Sequence, residues 1–141
     1  SFNPAIRANL IRFCEALKAK RVTLSTLDFE EAIEAHVPLD ASKTLVYCDP
    51  PYLVSTATYN EQGGWTEREE KRLHGALDRI HARGGRFVLS NLMSNGEREN
   101  TLLREWSEQY QVRQLVYTYG SCSYHKKASN KRGEEVLVTN Y

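Results

Sequence analysis

The sequence predicts an α/β fold, a mostly parallel sheet with an antiparallel hairpin at its edge. Three observations carry this. Leu45-Val46-Tyr47-Cys48 is an apolar, β-branched and aromatic run, the pattern of a buried strand, and it stops at Asp49-Pro50-Pro51, where locked φ angles and missing N–H groups forbid its continuation. Arg86 to Ser90 reads as a second strand, and helical periodicity fills the stretch between the two. Val112 to Tyr119 and Glu135 to Asn140 are strand-like and are expected to pair antiparallel near the end of the chain.

From the first residues onward, 4–19 place Leu10, Phe13, Cys14 and Leu17 at helical spacing. Arg21 to Ser25 reads as a short strand, and Glu30 to Ala35 as a brief helix ending before Pro38. His36 has no partner at useful spacing. Leu53 to Gly64 is a loop rich in Ser, Thr, Asn and Gly beside a polar strand end, a length more often functional than filler. Thr66-Glu67-Arg68-Glu69 has capping-box form; Leu73, Leu77 and Ile80 continue one helix face until Gly84-Gly85, with the Glu, Arg and Lys side chains read as a solvated face. Asn91, at the predicted end of its strand, is expected on the ligand side of the sheet. Leu102, Leu103, Trp106 and Tyr110 mark another helix, with Trp106 as core. Residues 120–133 form a long basic connection of small residues.

A chain of 141 residues is expected to form a single α/β domain over 1–141. Hydrophobic content of 40% and charge of 26% are those of a water-soluble globular protein, and no apolar run approaches a membrane span. Cys14, Cys48 and Cys122 are too few and too widely spaced for a disulfide framework or a zinc site, so no metal is expected and a reducing, cytoplasmic setting is. Ser1 in place of Met points to a processed or cut start. The net charge of +1 is polarised: residues 1–24 carry five basic residues against Glu15, 110–133 carry Arg113, Lys126, Lys127, Lys131 and Arg132 with no acid, and the middle is acidic. Two basic ends suit a phosphate backbone.

The chemistry concentrates at Asp49-Pro50-Pro51-Tyr52. An acid at the carboxyl end of a parallel strand sits where open α/β sheets bind ligands. Its carboxylate can accept one hydrogen of an aromatic amine, and the Pro50 carbonyl the other. Held so, the amine nitrogen can release its lone pair from the ring and attack an electrophilic methyl without a strong base. Tyr52 offers a flat face for a purine. Asp28-Phe29, after the first predicted strand, is an acid–aromatic pair suited to an adenine ring.

Asp49-Pro50-Pro51-Tyr52 resembles the signature of amino-group methyltransferases. With Thr56-Ala57-Thr58-Tyr59-Asn60, Gly64-Trp65, the run Phe87-Val88-Leu89-Ser90-Asn91, and the ending Lys131 to Tyr141, it is similar to Dam-type, D12-class DNA N6-adenine methyltransferases. The resemblance runs from Phe2-Asn3-Pro4 to the last residue. It implies a Rossmann-like fold dependent on S-adenosylmethionine, with Asp49, Pro50, Pro51 and Tyr52 as catalytic residues and Asp28, Phe29 and Asp49 at the cofactor. Double-stranded DNA is the implied partner, its adenine flipped out of the duplex. Tyr59 and Asn60 are expected near the base or cofactor, and Lys126, Lys127, Lys131 and Arg132 on the DNA backbone.

Such enzymes also carry a Phe-x-Gly-x-Gly turn for the methionine end of the cofactor and a target-recognition segment, and neither is present. The chain therefore resembles the C-terminal catalytic part, a partial fold. Little or no methylation is expected from it alone, and a second chain supplying the N-terminal half is a candidate partner. Two other readings stay open: a non-catalytic DNA- or nucleotide-binding module, and an amino methyltransferase acting on RNA or protein.

Overall fold

A computed structural model describes residues 3–55, 64–115 and 133–141. Helix α1, Pro4–Lys18, starts on the Asn3 side chain, which accepts the Ile6 N–H at 2.9 Å, with Pro4 preset for the first turn. Helix α2, Phe29–His36, is capped by Asp28, and strand β1 is Leu45–Cys48. Helix α3, Glu67–Ala82, opens on the predicted capping box of Thr66 and Glu69. It ends where Gly84 takes φ +76°, and at Gly85 a Cβ would meet Ile80 Cγ2 at 2.8 Å. Strand β2 (Arg86–Asn95), β3 (Arg98–Glu99), helix α4 (Thr101–Ser107), β4 (Gln111–Gln114) and β5 (Glu134–Thr139) complete the order.

The sheet runs β1-β2-β5-β4, with β3 turned back onto the end of β2. Among the described strands only β1 and β2 are parallel, joined across α3; β2–β5, β4–β5 and β2–β3 are antiparallel. The predicted mostly parallel sheet is thus a mixed one. A parallel pair needs a long crossover, and α3 supplies one among the described residues. The C-terminal hairpin forms as predicted over the residues described.

Three further readings are corrected. Residues 21–25 form no strand: Leu24 is 90% exposed and no described strand lies alongside to accept its hydrogen bonds. Strand β2 continues through Asn95, because β5 and then β3 pair with its second half. Tyr110 lies beyond α4, in the turn leading to β4. Tyr59, Asn60, Lys126, Lys127, Lys131, Arg132 and Cys122 lie outside the described residues.

The core is one-sided. Alternation along the strands puts Phe87, Leu89, Val136 and Val138 on one face, where they meet Leu73, Leu77, Ile80 and Leu103 of α3 and α4. Trp106 and Tyr110 border this core as predicted for Trp106, and both donate to Asp78, at 2.8 and 2.7 Å. Helix α2 is tied to α3 by Arg72 with Asp28 and Glu30, Arg79 with Glu30, and Arg83 with Glu34. These pairs pull the Glu30 carboxyl below its ordinary pKa, chiefly through Arg79 and then Arg72. At the chain end, Asn140 accepts the Phe87 N–H at 2.8 Å and donates to the Gly85 carbonyl at 2.8 Å, fixing β5 against the start of β2.

Candidate active site

Because β1 and β2 are parallel and Cys48 pairs with Leu89, Asp49 emerges beside Ser90. The Tyr52 hydroxyl lies 3.1 Å from Asp49 Oδ1 and 3.1 Å from Ser90 Oγ. A phenol has one proton, so Tyr52 donates to the carboxylate and Ser90 donates to Tyr52. This relay holds the Asp49 carboxylate from one side, and Oδ2 has no hydrogen-bond partner among the described residues. Burial, with Asp49 adding to it and Ser90 opposing, raises the Tyr52 pKa, so the hydroxyl keeps its proton. Tyr52 is half-buried and Pro51 exposed. The turn closes with Ser55 N–H on the Tyr52 carbonyl at 3.0 Å, and Asn95 Nδ2 holds the Val54 carbonyl at 3.2 Å.

The second predicted cluster, Asp28-Phe29, sits at the start of α2. Asp28 Oδ1 takes two donors, the Glu30 N–H at 3.0 Å and Arg72 Nη2 at 2.7 Å. Arg72 also lies over the Phe29 ring, 4.8 Å from its centroid, and Trp65 meets that ring at 5.8 Å with a 46° tilt. Phe29 packs on the same core as Val46 and Cys48 of β1. Phe29 and strand β1 therefore pack on one core.

Asn91 is not on the ligand side. It is fully buried and its Nδ2 donates to Glu70 Oε1 at 3.0 Å, because β2 runs past it rather than ending there. Glu70 is likewise fully buried, against the reading of α3's charges as solvated. It also accepts Asn100 Nδ2 at 2.9 Å and the Trp65 indole N–H at 2.6 Å. The missed residues of this region are Ser90, Glu70 and Arg72. Glu70 did leave a signal: it stands three before Leu73 and seven before Leu77, a charged residue on the apolar face. Ser90 stood in the run that carries the family resemblance, but its bond to Tyr52 is decided by strand register.

Among the described residues no group of His, Cys, Asp or Glu is arranged to hold a metal, and no helix is long and apolar enough to cross a membrane. Cys48, under the core, has its thiol pushed up to about 11 by burial.

Comparison with known proteins adds the context. The family model for D12 class N6 adenine-specific DNA methyltransferases matches residues 2–120. Over 99% of its length the chain is 36% identical to the type II methyltransferase M.FokI of Planomicrobium okeanokoites and 32% identical to the modification methylase StsI of Streptococcus sanguinis. It is 33% identical over 70% of its length to the modification methylase LlaI of Lactococcus lactis subsp. lactis. The chain spans 22% of the length of each of the first two relatives and 15% of the third.

Proposed function

The chain belongs to the D12 class of N6 adenine-specific DNA methyltransferases, and from that premise we propose that Asp49 to Tyr52 form the amine-activating half of a DNA adenine N6-methylation site. The observation that carries this reading is the Ser90–Tyr52–Asp49 relay at the carboxyl end of β1. It orients the carboxylate while leaving one oxygen able to accept a hydrogen from an exocyclic amine. Pro50, with no N–H of its own and a fixed φ, supplies a carbonyl for the second hydrogen. Restraining both hydrogens favours a nitrogen whose lone pair points away from the ring. Much of the rate then comes from placement rather than from a base. A target adenine reaches this site by leaving the duplex, since its N6 is otherwise paired and stacked.

The cofactor is S-adenosylmethionine, which supplies an electrophilic sulfonium methyl. Phe29 gives a flat apolar ring, and Asp28 has one carboxylate oxygen left after Glu30 and Arg72 have taken the other. An adenine ring asks for such a face and an acceptor for its amine, so these residues fit the adenosine end of that cofactor. No described residue forms a glycine-rich turn after a strand.

The methionine end, on this reading, is held by polypeptide outside these 141 residues, in the same or a second chain. The exposed apolar side chains of β1, Leu45 and Tyr47, support that completion. Tyr59, Asn60, Lys126, Lys127, Lys131 and Arg132 are proposed DNA contacts.

Methyl transfer from labelled S-adenosylmethionine to unmethylated DNA tests the reading, with Asp49→Ala alongside. The expected result is little or no transfer by the chain alone, and transfer on addition of a relative's N-terminal part that Asp49→Ala abolishes. Salt-sensitive DNA binding unchanged by Asp49→Ala, with no transfer even when a relative's N-terminal part is added, would instead support the binding module.

A further inference from the structure

Glu70 is a buried carboxyl with no lysine or arginine partner among the described residues. Its Oε1 accepts Asn91 and Asn100, and its Oε2 accepts the Trp65 indole. Beside it is His74, whose Nε2 is 3.7 Å away and has no hydrogen-bond partner. Burial, the largest influence there, depresses the His74 pKa, so His74 is neutral at pH 7 and does not balance Glu70. An apolar residue at this position would fill the space at less cost in desolvation. An arrangement that breaks the local rule calls for a compensating role.

The role follows from what lies at each end. Toward α2, Glu70 fixes Trp65, whose ring touches Phe29 of the proposed adenosine pair. Toward β2, it fixes Asn91, the chain neighbour of Ser90, which bonds Tyr52 beside Asp49. We propose that Glu70 is a positioning residue that sets Trp65 and the Phe29 face relative to the strand end carrying the amine-binding group. This rests on the methyltransferase reading above. Glu70 touches neither cofactor nor base; it acts through Trp65 and Asn91. The pattern of acceptors makes the claim specific. A glutamine at 70 can keep its single oxygen toward Asn91 and Asn100, but its NH2 then faces the indole N–H, donor against donor.

The test uses Glu70→Gln, Trp65→Phe and the double variant of the 141-residue chain. Without ligand, Trp65→Phe lowers the unfolding midpoint in the unmutated protein but leaves it unchanged or raises it in Glu70→Gln. The Trp65 indole proton resonance moves in Glu70→Gln, while that of Trp106, held by Asp78, stays. Additive midpoints with an unmoved Trp65 resonance overturn the proposal. With S-adenosylhomocysteine as probe, at a temperature where all variants are folded, Glu70→Gln weakens binding about tenfold, the size of one lost hydrogen bond. The double variant recovers most of it, which a merely structural loss would not. Equal affinity in folded Glu70→Gln overturns the positioning role while leaving the proposed function intact. No binding by the unmutated chain overturns the adenosine assignment, and the positioning role with it.

Discussion

The two faces of the sheet differ sharply, although the same strands build both. On one, Phe87, Leu89, Val136 and Val138 are essentially inaccessible beneath α3 and α4. On the other, Leu45 is 58% and Tyr47 62% exposed, and Val88 and Leu137 are only half-buried, in an open groove shared with Gln111, Arg113, Thr139 and Tyr141. Helix α1 belongs with the bare side in kind: it has an apolar stripe, yet Ile6, Leu10, Phe13 and Leu17 are all exposed. Parallel pairing usually comes with helices on both faces. The covered face is thus a finished core, and the bare one is a surface of the composition that cores are made from. Stability and function should therefore respond very differently on the two sides.

The largest contrast is expected in paired truncations across β2. Phe87→Ala opens a cavity in the covered face and should cost about 3–5 kcal/mol in denaturant unfolding. Val88→Ala, one residue along and facing the other way, should cost less than about 1 kcal/mol. Equal losses would mean that the bare face is also packed in solution.

Thiol labelling reads the same difference chemically. In a Cys122→Ser background at pH 8, Cys14 on exposed α1 should react with a disulfide reagent while Cys48 stays protected until the protein unfolds. With its pKa at about 11, only about one Cys48 in a thousand is a thiolate at that pH. Rapid labelling of Cys48 in the folded chain would break the assignment of its side chain to the covered face.

A smaller effect should appear with pH inside the covered side. His74 stacks on Trp106 at 4.2 Å, and its folded-state pKa lies below the ordinary 6.5. The unfolded chain then binds more protons than the folded one between the two values. Stability contributed by neutral His74 is present above about pH 6.5 and falls as pH drops below it. His74→Phe keeps the stacking and should flatten that part of the profile, measured by denaturant midpoints from pH 7.5 to 5. An unchanged slope would place the protonation elsewhere.

The smallest change is expected on the bare face. Tyr47→Ser should alter the stability of the isolated chain by no more than about 0.5 kcal/mol, since the side chain is already in water. A larger loss would show that Tyr47 is covered in solution, and self-association measured by sedimentation would then identify a second copy as the cover.

What the sequence determined by itself is what depends on near neighbours. The Thr66–Glu69 box, the Gly84-Gly85 stop and the break after Cys48 are written in residues a few positions apart, and each appears where it was read. The tetrapeptide Asp49 to Tyr52 could be singled out for the same reason, because its residues are contiguous and Tyr52 bonds Asp49 only three positions away. Tertiary structure decided everything that depends on pairing. A strand pattern at 21–25 needs a neighbour and finds none among the described residues, whereas β2 outlasts its predicted end because β5 and β3 extend it. Register brought Ser90 to Tyr52 across 38 residues of chain, and packing put the carboxyl of Glu70 beneath three donors from three separate segments. Local propensity acts within a turn or two of chain, but hydrogen-bond satisfaction is settled only by what folding brings alongside.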